Sequence, residues 1–289
     1  MNRGELTAEL AASLGLRHEA RYIVEEVLGL STSGSCQVVA PADLAAIRAL
    51  EARRRAGEPL QYVLGHWAFR ALDLLVDPRV LIPRPETEQV VEVALRELEH
   101  LGREAPVVVD AGTGSGAIAL SLATESVDRN PGGQVWAVDT SAEALAVARA
   151  NLELVRAQPG MRMLPVTLVE GSWLAALPAD LRGWIDLVVA NPPYVATEEW
   201  SDLPGEVQRE PYGALVAGAG SDGTPGLADV EEVLAQAWTW LARPGAVVIE
   251  MAPDQTDAAA RLARSTGYVD VRVERDLAQR PRAVVGRTR

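Results

Sequence analysis

As far as about Gly57, apolar residues recur at helical spacing: Leu6, Leu10 and Leu14, then Ile23, Val24, Val27 and Leu28, then Leu44, Ile47 and Leu50. This period predicts three short amphipathic helices. The third has Pro41 or Asp43 near its start, where a missing N–H or a carboxylate suits a helix N-terminus. It runs into Arg53-Arg54-Arg55, read as a solvated helix end whose cations suit the opposite pole of the dipole. From Glu58 to Glu88 the pattern breaks into short apolar runs punctuated by proline and glycine, which predicts a hairpin linker. Beyond it, β-like runs alternate with helical stretches. The predicted strands are 107–111, 134–139, 166–170, 185–190, 246–251, 269–274 and 283–285, with helical patterns such as SAEALAVARANLELV and LADVEEVLAQAWTWLA between them. Such alternation predicts an α/β fold: an open, mostly parallel sheet of seven strands with helices on both faces.

In a sheet of this kind ligands bind outside the carboxyl ends of the strands, so the residues that follow each strand carry the chemistry. After the first comes Gly112-Thr113-Gly114-Ser115-Gly116, leading into a helix. Glycine permits the tight turn and lets backbone N–H groups come close to a ligand at a helix N-terminus. Gly112, Gly114 and Ala117 also satisfy the dinucleotide fingerprint with alanine in its last place, so nicotinamide and flavin cofactors fit as well. The second strand ends at Asp139, placed to bind both hydroxyls of a ribose, a feature that adenosine cofactors share. Thr140 and Glu143 fit a capping box opening the next helix. Trp173, after the third strand, is placed either to stack beside an adenine or to fill the core.

The fourth strand runs into Asn191-Pro192-Pro193-Tyr194. Two prolines end the strand and stiffen the loop while leaving carbonyl oxygens free to accept. Asn191 offers a side-chain oxygen and Pro192 a backbone oxygen, one for each hydrogen of a planar NH2 group, and the Tyr194 ring can pack against its flat face. A conjugated amino nitrogen is a poor nucleophile. Two fixed acceptors orient it and stabilise the positive charge that forms as it attacks an electrophilic methyl group. An Asn-Pro turn with a merely packed tyrosine is the alternative for the isolated tetrapeptide. Its position after the glycine turn and Asp139 favours methyl transfer from S-adenosylmethionine to an amino nitrogen.

Composition narrows the partners. The chain has 289 residues, 48% hydrophobic and 23% charged, values ordinary for one or two globular domains. No apolar stretch approaches the roughly 20 residues that span a bilayer, and the first residues carry acids where a signal peptide would be apolar, so a cytoplasmic protein without membrane contact is expected. A lone cysteine, Cys36, excludes an intramolecular disulfide or a cysteine-cluster metal site. The histidines at 18, 66 and 100 are scattered, and no metal is expected. The net charge is −13, and all 27 basic residues are arginine. That balance argues against gripping naked nucleic acid, so no direct DNA binding is expected.

In these residues the chain resembles the glutamine methyltransferases of peptide chain release factors. The likeness covers nearly the whole chain: Glu58 to Gly65, Leu81 to Glu88, Asp110 to Gly116, Asp139, Asn191 to Tyr194, Asp276-Leu277 and Arg282 to Val285. It implies a helical substrate-recognition domain at residues 1–67, a hairpin linker at 68–88 and a Rossmann-like methyltransferase domain at 89–289. It implies S-adenosyl-L-methionine as cofactor, class I peptide chain release factors as partners, a monomer, and transfer to the glutamine amide nitrogen of their Gly-Gly-Gln motif. By that likeness Gly112, Thr113, Gly114, Ser115 and Gly116 hold the methionine end, Asp139 the ribose, and Trp173 lies near the adenine. Asn191 contacts both cofactor and glutamine, with Pro192, Pro193 and Tyr194 completing the amide pocket; Asn191, Pro192 and Tyr194 are the expected catalytic group. Arg84 and Glu86 are expected to order their loop, touch the substrate protein or form an ordinary salt bridge. Two places depart from the family pattern: Glu250-Met251-Ala252-Pro253, where a glycine is usual, and a long Gly/Ala-rich passage from Gly218 to Gly226. The chain's own Gly132-Gly133-Gln134 copies the target motif and is assigned to the loop before the second strand. A ribosomal-protein glutamine methyltransferase, a nucleic-acid amino methyltransferase, a noncatalytic adaptor and a dehydrogenase are the alternatives, in that order.

Overall fold

The computed structural model describes residues 1–29 and 36–289. The chain divides into two units, one made of Met1–Trp67 with Pro204–Arg209 and the other of Ala68–Leu203 with Glu210–Arg289.

The first unit is helical: α1 (Arg3–Leu14), α2 (Arg17–Leu28), α3 (Pro41–Arg55) and the short α4 (Leu60–Leu64). The apolar stripes read from the sequence meet in its core, where Leu6, Leu10, Ile23 and Ile47 are fully buried. α1 opens on a reciprocal capping box between Asn2 and Glu5 and stops at the left-handed Gly15. α3 begins at Pro41 rather than Asp43. The arginine run is not a free solvated end. Arg53 pairs with Glu58 and bonds the carbonyls of Tyr62 and Val63, and Arg54 pairs with Glu19 and Glu206.

The chain enters the second unit within β1 (His66–Phe69), which pairs with β2 (Leu72–Leu75). Then follow α5 (Pro85–Leu101), β3 (Val107–Ala111), α6 (Ala117–Ser126), β4 (Gln134–Asp139), α7 (Ala142–Arg156), β5 (Val166–Glu170), β6 (Ile185–Ala190), β7 (Val195–Ala196), β8 (Val216–Ala217), α8 (Ala228–Trp240), β9 (Leu241–Glu250), α9 (Thr256–Thr266), β10 (Val269–Arg275) and β11 (Pro281–Arg287). Residues 85–88 are thus the first turn of α5. The main sheet has seven strands in the order β10-β11-β9-β6-β3-β4-β5, parallel except that β11 is antiparallel to both its neighbours. This is the mostly parallel seven-stranded sheet predicted from the alternation.

Side chains alternate across the pleat, so each inner strand feeds two cores. Val108, Leu187, Val189, Ala246 and Val248 pack with α5 and α6 on one face. Val109, Val188, Ala190, Val247 and Ile249 pack with α8 and α9 on the other. β9 starts at Leu241, five residues before the predicted Ala246, and ends at Glu250 rather than Met251. Pairing with β6 holds on either side of Arg243-Pro244-Gly245, with an irregular register between Ile185–Leu241 and Leu187–Ala246. A Cβ at Gly245 would fall 2.8 Å from the Ala242 carbonyl oxygen, which accounts for the glycine. β10 and β11 likewise extend past the predicted strands. The capping box expected at Thr140 and Glu143 does not form. Ser141 is the N-cap of α7, its hydroxyl accepting from the Ala144 amide at 3.1 Å. Gly133 is wedged in the turn before β4, where an added Cβ would lie 3.1 Å from both Leu164 and Pro106. Among the described residues no helix is long and apolar enough to cross a membrane.

Candidate active site

β3 is where the strand order reverses: β4 and β5 lie to one side, β6 and β9 to the other. Loops leaving β3, β4 and β6 diverge there and open a crevice at the carboxyl ends. The glycine turn fills its floor. Gly112, Gly114 and Gly116 have φ of 83°, 55° and 87°, a left-handed backbone that other residues adopt only at a cost. The Gly112 and Thr113 amides both donate to the Val138 carbonyl at 2.9 Å, tying the turn to β4. Asp139 finishes the tie, its carboxylate accepting from the Gly114 amide at 2.8 Å and the Ser141 amide at 2.9 Å.

Beneath the turn lies Asp110, which is fully buried. Its Oδ2 accepts from the Thr113 hydroxyl at 2.6 Å and from the Ala119 amide in the first turn of α6 at 3.0 Å. Burial pushes its carboxyl up to about 7, with the Asp139 charge adding to the rise. The only hint in the sequence is a carboxylate inside the apolar run that forms β3.

A cavity of about 570 Å³ opens above the turn, lined by Gly112, Gly114, Asp139, Trp173, Asn191 and Pro193. Six of the sequence-predicted residues therefore share one space, of a size usual for small-molecule sites at roughly 300–1,000 Å³. Trp173 lies against Gly112, where an added Cβ would meet its ring at 3.1 Å, and it takes a left-handed φ of 46° to do so. Above Gly114 the space is open, with nothing within 4 Å of a Cβ position. Thr113 and Ser115 are buried within the turn: the Thr113 hydroxyl is given to Asp110, and the Ser115 carbonyl accepts from Asn151 at 2.8 Å. Gly116 is the N-cap of α6. Pro192 and Tyr194 stand outside the lining of this cavity.

The Asn191–Tyr194 loop is held from three sides. The Tyr194 and Val195 amides donate to the Leu215 carbonyl at 3.1 and 2.8 Å, leading into the short β7–β8 pair. Gln255 Nε2 donates to the Tyr194 carbonyl at 2.8 Å and to the Pro225 carbonyl at 2.9 Å, while its Oε1 accepts from the Ala252 amide at 3.2 Å. Gly226 closes beneath: a Cβ there would fall 2.2 Å from the Tyr194 carbonyl oxygen. The glycine-rich passage that departs from the family pattern is thus packed directly against the loop. Gln255 escapes sequence reading because its partners are backbone carbonyls 30 and 61 positions away.

Asn191 Nδ2 donates to the Thr87 hydroxyl at 3.4 Å, and its Oδ1 is buried with no donor among the described residues. Burial pushes the Tyr194 phenol up to about 12, with the charge of Glu250 adding to the rise, so the ring stays neutral. Arg84 pairs with the buried Glu210, which also accepts from the Ile82 amide at 3.0 Å, so this pair orders the loop before α5. Glu86 pairs with Arg280 at 2.9 Å.

A nucleoside joined to an amino acid matches this ground. The open glycine backbone suits a close approach, the Asp139 carboxylate has lone pairs left for hydroxyls, and Trp173 offers an aromatic wall. The orphaned Asn191 oxygen awaits an N–H.

Residues 91–205 match the methyltransferase small domain family, and residues 5–65 match the PrmC N-terminal domain family. The release factor glutamine methyltransferase of Bordetella pertussis is 43% identical over 278 residues, spanning 94% of this chain and 96% of that protein. That of Burkholderia pseudomallei is 40% identical over 273 residues, spanning 93% and 91%. A solved methyltransferase structure from Pyrococcus furiosus, 17% identical, covers 76% of this chain and 90% of its own with a TM-score of 0.51, a likeness of fold alone. Identity at this level across almost the full length of both relatives goes beyond a shared fold: the chain belongs to the release factor glutamine methyltransferase family.

Proposed function

We propose that this enzyme methylates the side-chain amide nitrogen of the glutamine in the Gly-Gly-Gln motif of class I peptide chain release factors, as a cytoplasmic monomer. S-adenosylmethionine, when bound, supplies an electrophilic methyl group on a sulfonium. Gly112 to Gly116 hold its methionine end, Asp139 its ribose hydroxyls, and Trp173 flanks its adenine. Residues 1–67 recognise the release factor protein.

The observation that carries this reading is the Asn191 carboxamide, whose buried Oδ1 has no donor among the described residues, on a loop fixed by Leu215, Gln255 and Gly226. A buried acceptor without a partner is costly, and an incoming amide N–H relieves it. Asn191 Oδ1 takes one hydrogen of the glutamine NH2, the Pro192 carbonyl takes the other, and the Pro193 and Tyr194 rings wall the amide and keep water out. With both hydrogens held, the nitrogen is aimed, and the positive charge that grows on it during transfer faces two oxygens. A neutral Tyr194 adds no competing anion.

The test uses labelled S-adenosylmethionine in whole-cell extract, with the products read by mass spectrometry. A methyl group on the release factor glutamine, abolished by Gln→Ala in that motif, is expected. Label on a ribosomal protein or on RNA instead overturns the assignment.

A further inference from the structure

Glu250 is fully buried, and among the described residues neither of its carboxylate oxygens meets a donor at hydrogen-bond geometry. Nothing in the cofactor and amide sites described above uses it. A buried carboxyl without a partner is a cost that an apolar side chain would not incur, so its presence calls for a function. Its surroundings supply one. The register pairs Ala190 with Ile249, so Asn191 and Glu250 follow side by side at the carboxyl ends of β6 and β9. By alternation both share the face of Leu187, Val189, Ala246 and Val248, which is the face covered by α5. Thr87, buried in the first turn of α5 that covers this face, accepts from Asn191 Nδ2 at 3.4 Å, and its hydroxyl favours the charged form of Glu250.

We propose that Glu250 is a positioning residue that, through the Thr87 hydroxyl, sets which end of the Asn191 carboxamide faces the glutamine. A threonine hydroxyl has one proton to give and two lone pairs to receive. When the proton is directed at the Glu250 carboxylate, only lone pairs remain toward Asn191. They accept Nδ2, which leaves Oδ1 for the substrate. A protonated Glu250 removes that demand. The Thr87 proton is then free to bond Oδ1, turning the amide over and presenting a donor to a substrate that itself only donates. The other charged or titratable groups acting on Glu250 and Tyr194 are Arg282 from β11, Arg84 and Glu86 at the start of α5, and the Tyr194 phenol itself. Burial pushes Glu250 up to about 7, so the switch falls within the working range of pH.

This inference rests on the amide-acceptor role of Asn191, and its test is chosen to separate the two. The first readout needs no substrate: the side-chain amide resonances of Asn191, assigned with Asn191→Ala, are followed by NMR against pH. They are expected to move with a midpoint near 7 in the wild type and to lose that step in Glu250→Gln and Thr87→Val. The second readout is turnover on the release factor. Glu250→Gln and Thr87→Val are each expected to lower kcat about tenfold, the equivalent of one hydrogen bond, and to abolish the acidic limb of the pH profile. The KM for S-adenosylmethionine and the calorimetric affinity for S-adenosylhomocysteine should stay within about twofold, and Thr87→Ser should restore most of the turnover. Should Glu250→Gln fail to fold, the Thr87→Val and Thr87→Ser pair decides. Asn191 resonances that do not titrate, or variants that lose S-adenosylhomocysteine binding in step with turnover, overturn the proposal. A titrating Asn191 in an enzyme that leaves the release factor unmethylated overturns the functional reading and keeps the positioning role.

Discussion

Asn191 has one end of its carboxamide partnered, Nδ2 donating to Thr87, while its buried Oδ1 has no donor among the described residues. On the proposed reading, its truncation removes the acceptor that holds the glutamine amide. Asn191→Ala is expected to cost at least roughly 2 kcal/mol of transition-state stabilisation, read as a fall in kcat/KM of about thirtyfold. Asp139 anchors two backbone amides of the glycine turn as well as offering lone pairs to the cavity. Asp139→Ala should weaken S-adenosylhomocysteine binding at least about tenfold by calorimetry, since the proposed ribose contact and the shape of the turn are lost together. At this scale the sequence was most legible where a residue's place after a strand decides its position, as for Gly112, Asp139 and Asn191, which line one cavity. It was least legible for Thr87, Asp110 and Glu250, whose meaning comes from a neighbour on another element. Thr87 sits in a helix turn that reads as an ordinary N-terminus, and it meets Asn191 across 104 positions of sequence.

The loop between β6 and β7 is stiff because its carbonyls and amides are satisfied by distant segments as well as because it contains two prolines. Gln255 is the central tie. Gln255→Leu keeps the volume but leaves the Tyr194 and Pro225 carbonyls and the Ala252 amide without their partner, a cost of about 1–3 kcal/mol for buried groups. Urea denaturation should register that loss, and turnover should fall further than cofactor affinity because the displaced group is the loop proposed to hold the amide. Elements were read well wherever period and composition agreed, as in β3 to β6, whose ends coincide with the predicted runs. They were misread where a local signal was overridden by pairing. β9 begins five residues before the predicted strand because Leu241 pairs with Ile185 of β6 ahead of the register irregularity. Thr140 looks like a cap, but it follows an Asp139 already committed to the Gly114 and Ser141 amides, and the helix starts one residue later.

Across the second unit, buried carboxyl groups pull stability in opposite directions with pH. Burial raises Glu97, but hydrogen bonds from Arg287 and Arg272 outweigh it and hold the carboxyl below its usual range, clamping α5 to β10 and β11. A depressed carboxyl contributes stability above its unfolded value, about 4.3, and that contribution is lost as pH falls through the folded value. Glu97→Gln, which takes the charged acceptor from Arg287 and leaves Arg272 only its pair with Glu274, is expected to cost roughly 1–3 kcal/mol near neutrality, and the gap from wild type should narrow in acid when unfolding is followed across pH. Asp110 and Glu250 have the reverse sign. Their contribution is present below the ordinary carboxylate range and is lost as pH rises to about 7. The sheet order itself was open to sequence reading only as far as its mostly parallel character. Which strands are neighbours follows from side-chain packing on two faces, and composition does not record it.

The turn that wedges Gly133 against Leu164 and Pro106 sits at the amino edge of β4, while Asp139 and the cavity sit at the other edge, about 17 Å along the strand at a normal rise per residue. The protein's own copy of the target tripeptide is therefore remote from its own cavity, with Gly133 wedged and Gln134 paired in the sheet. A methyl group found on Gln134 would come from a chain that had lost its native packing before it was modified. Mass spectrometry of that one peptide can thus serve as an internal gauge of damaged enzyme in any preparation.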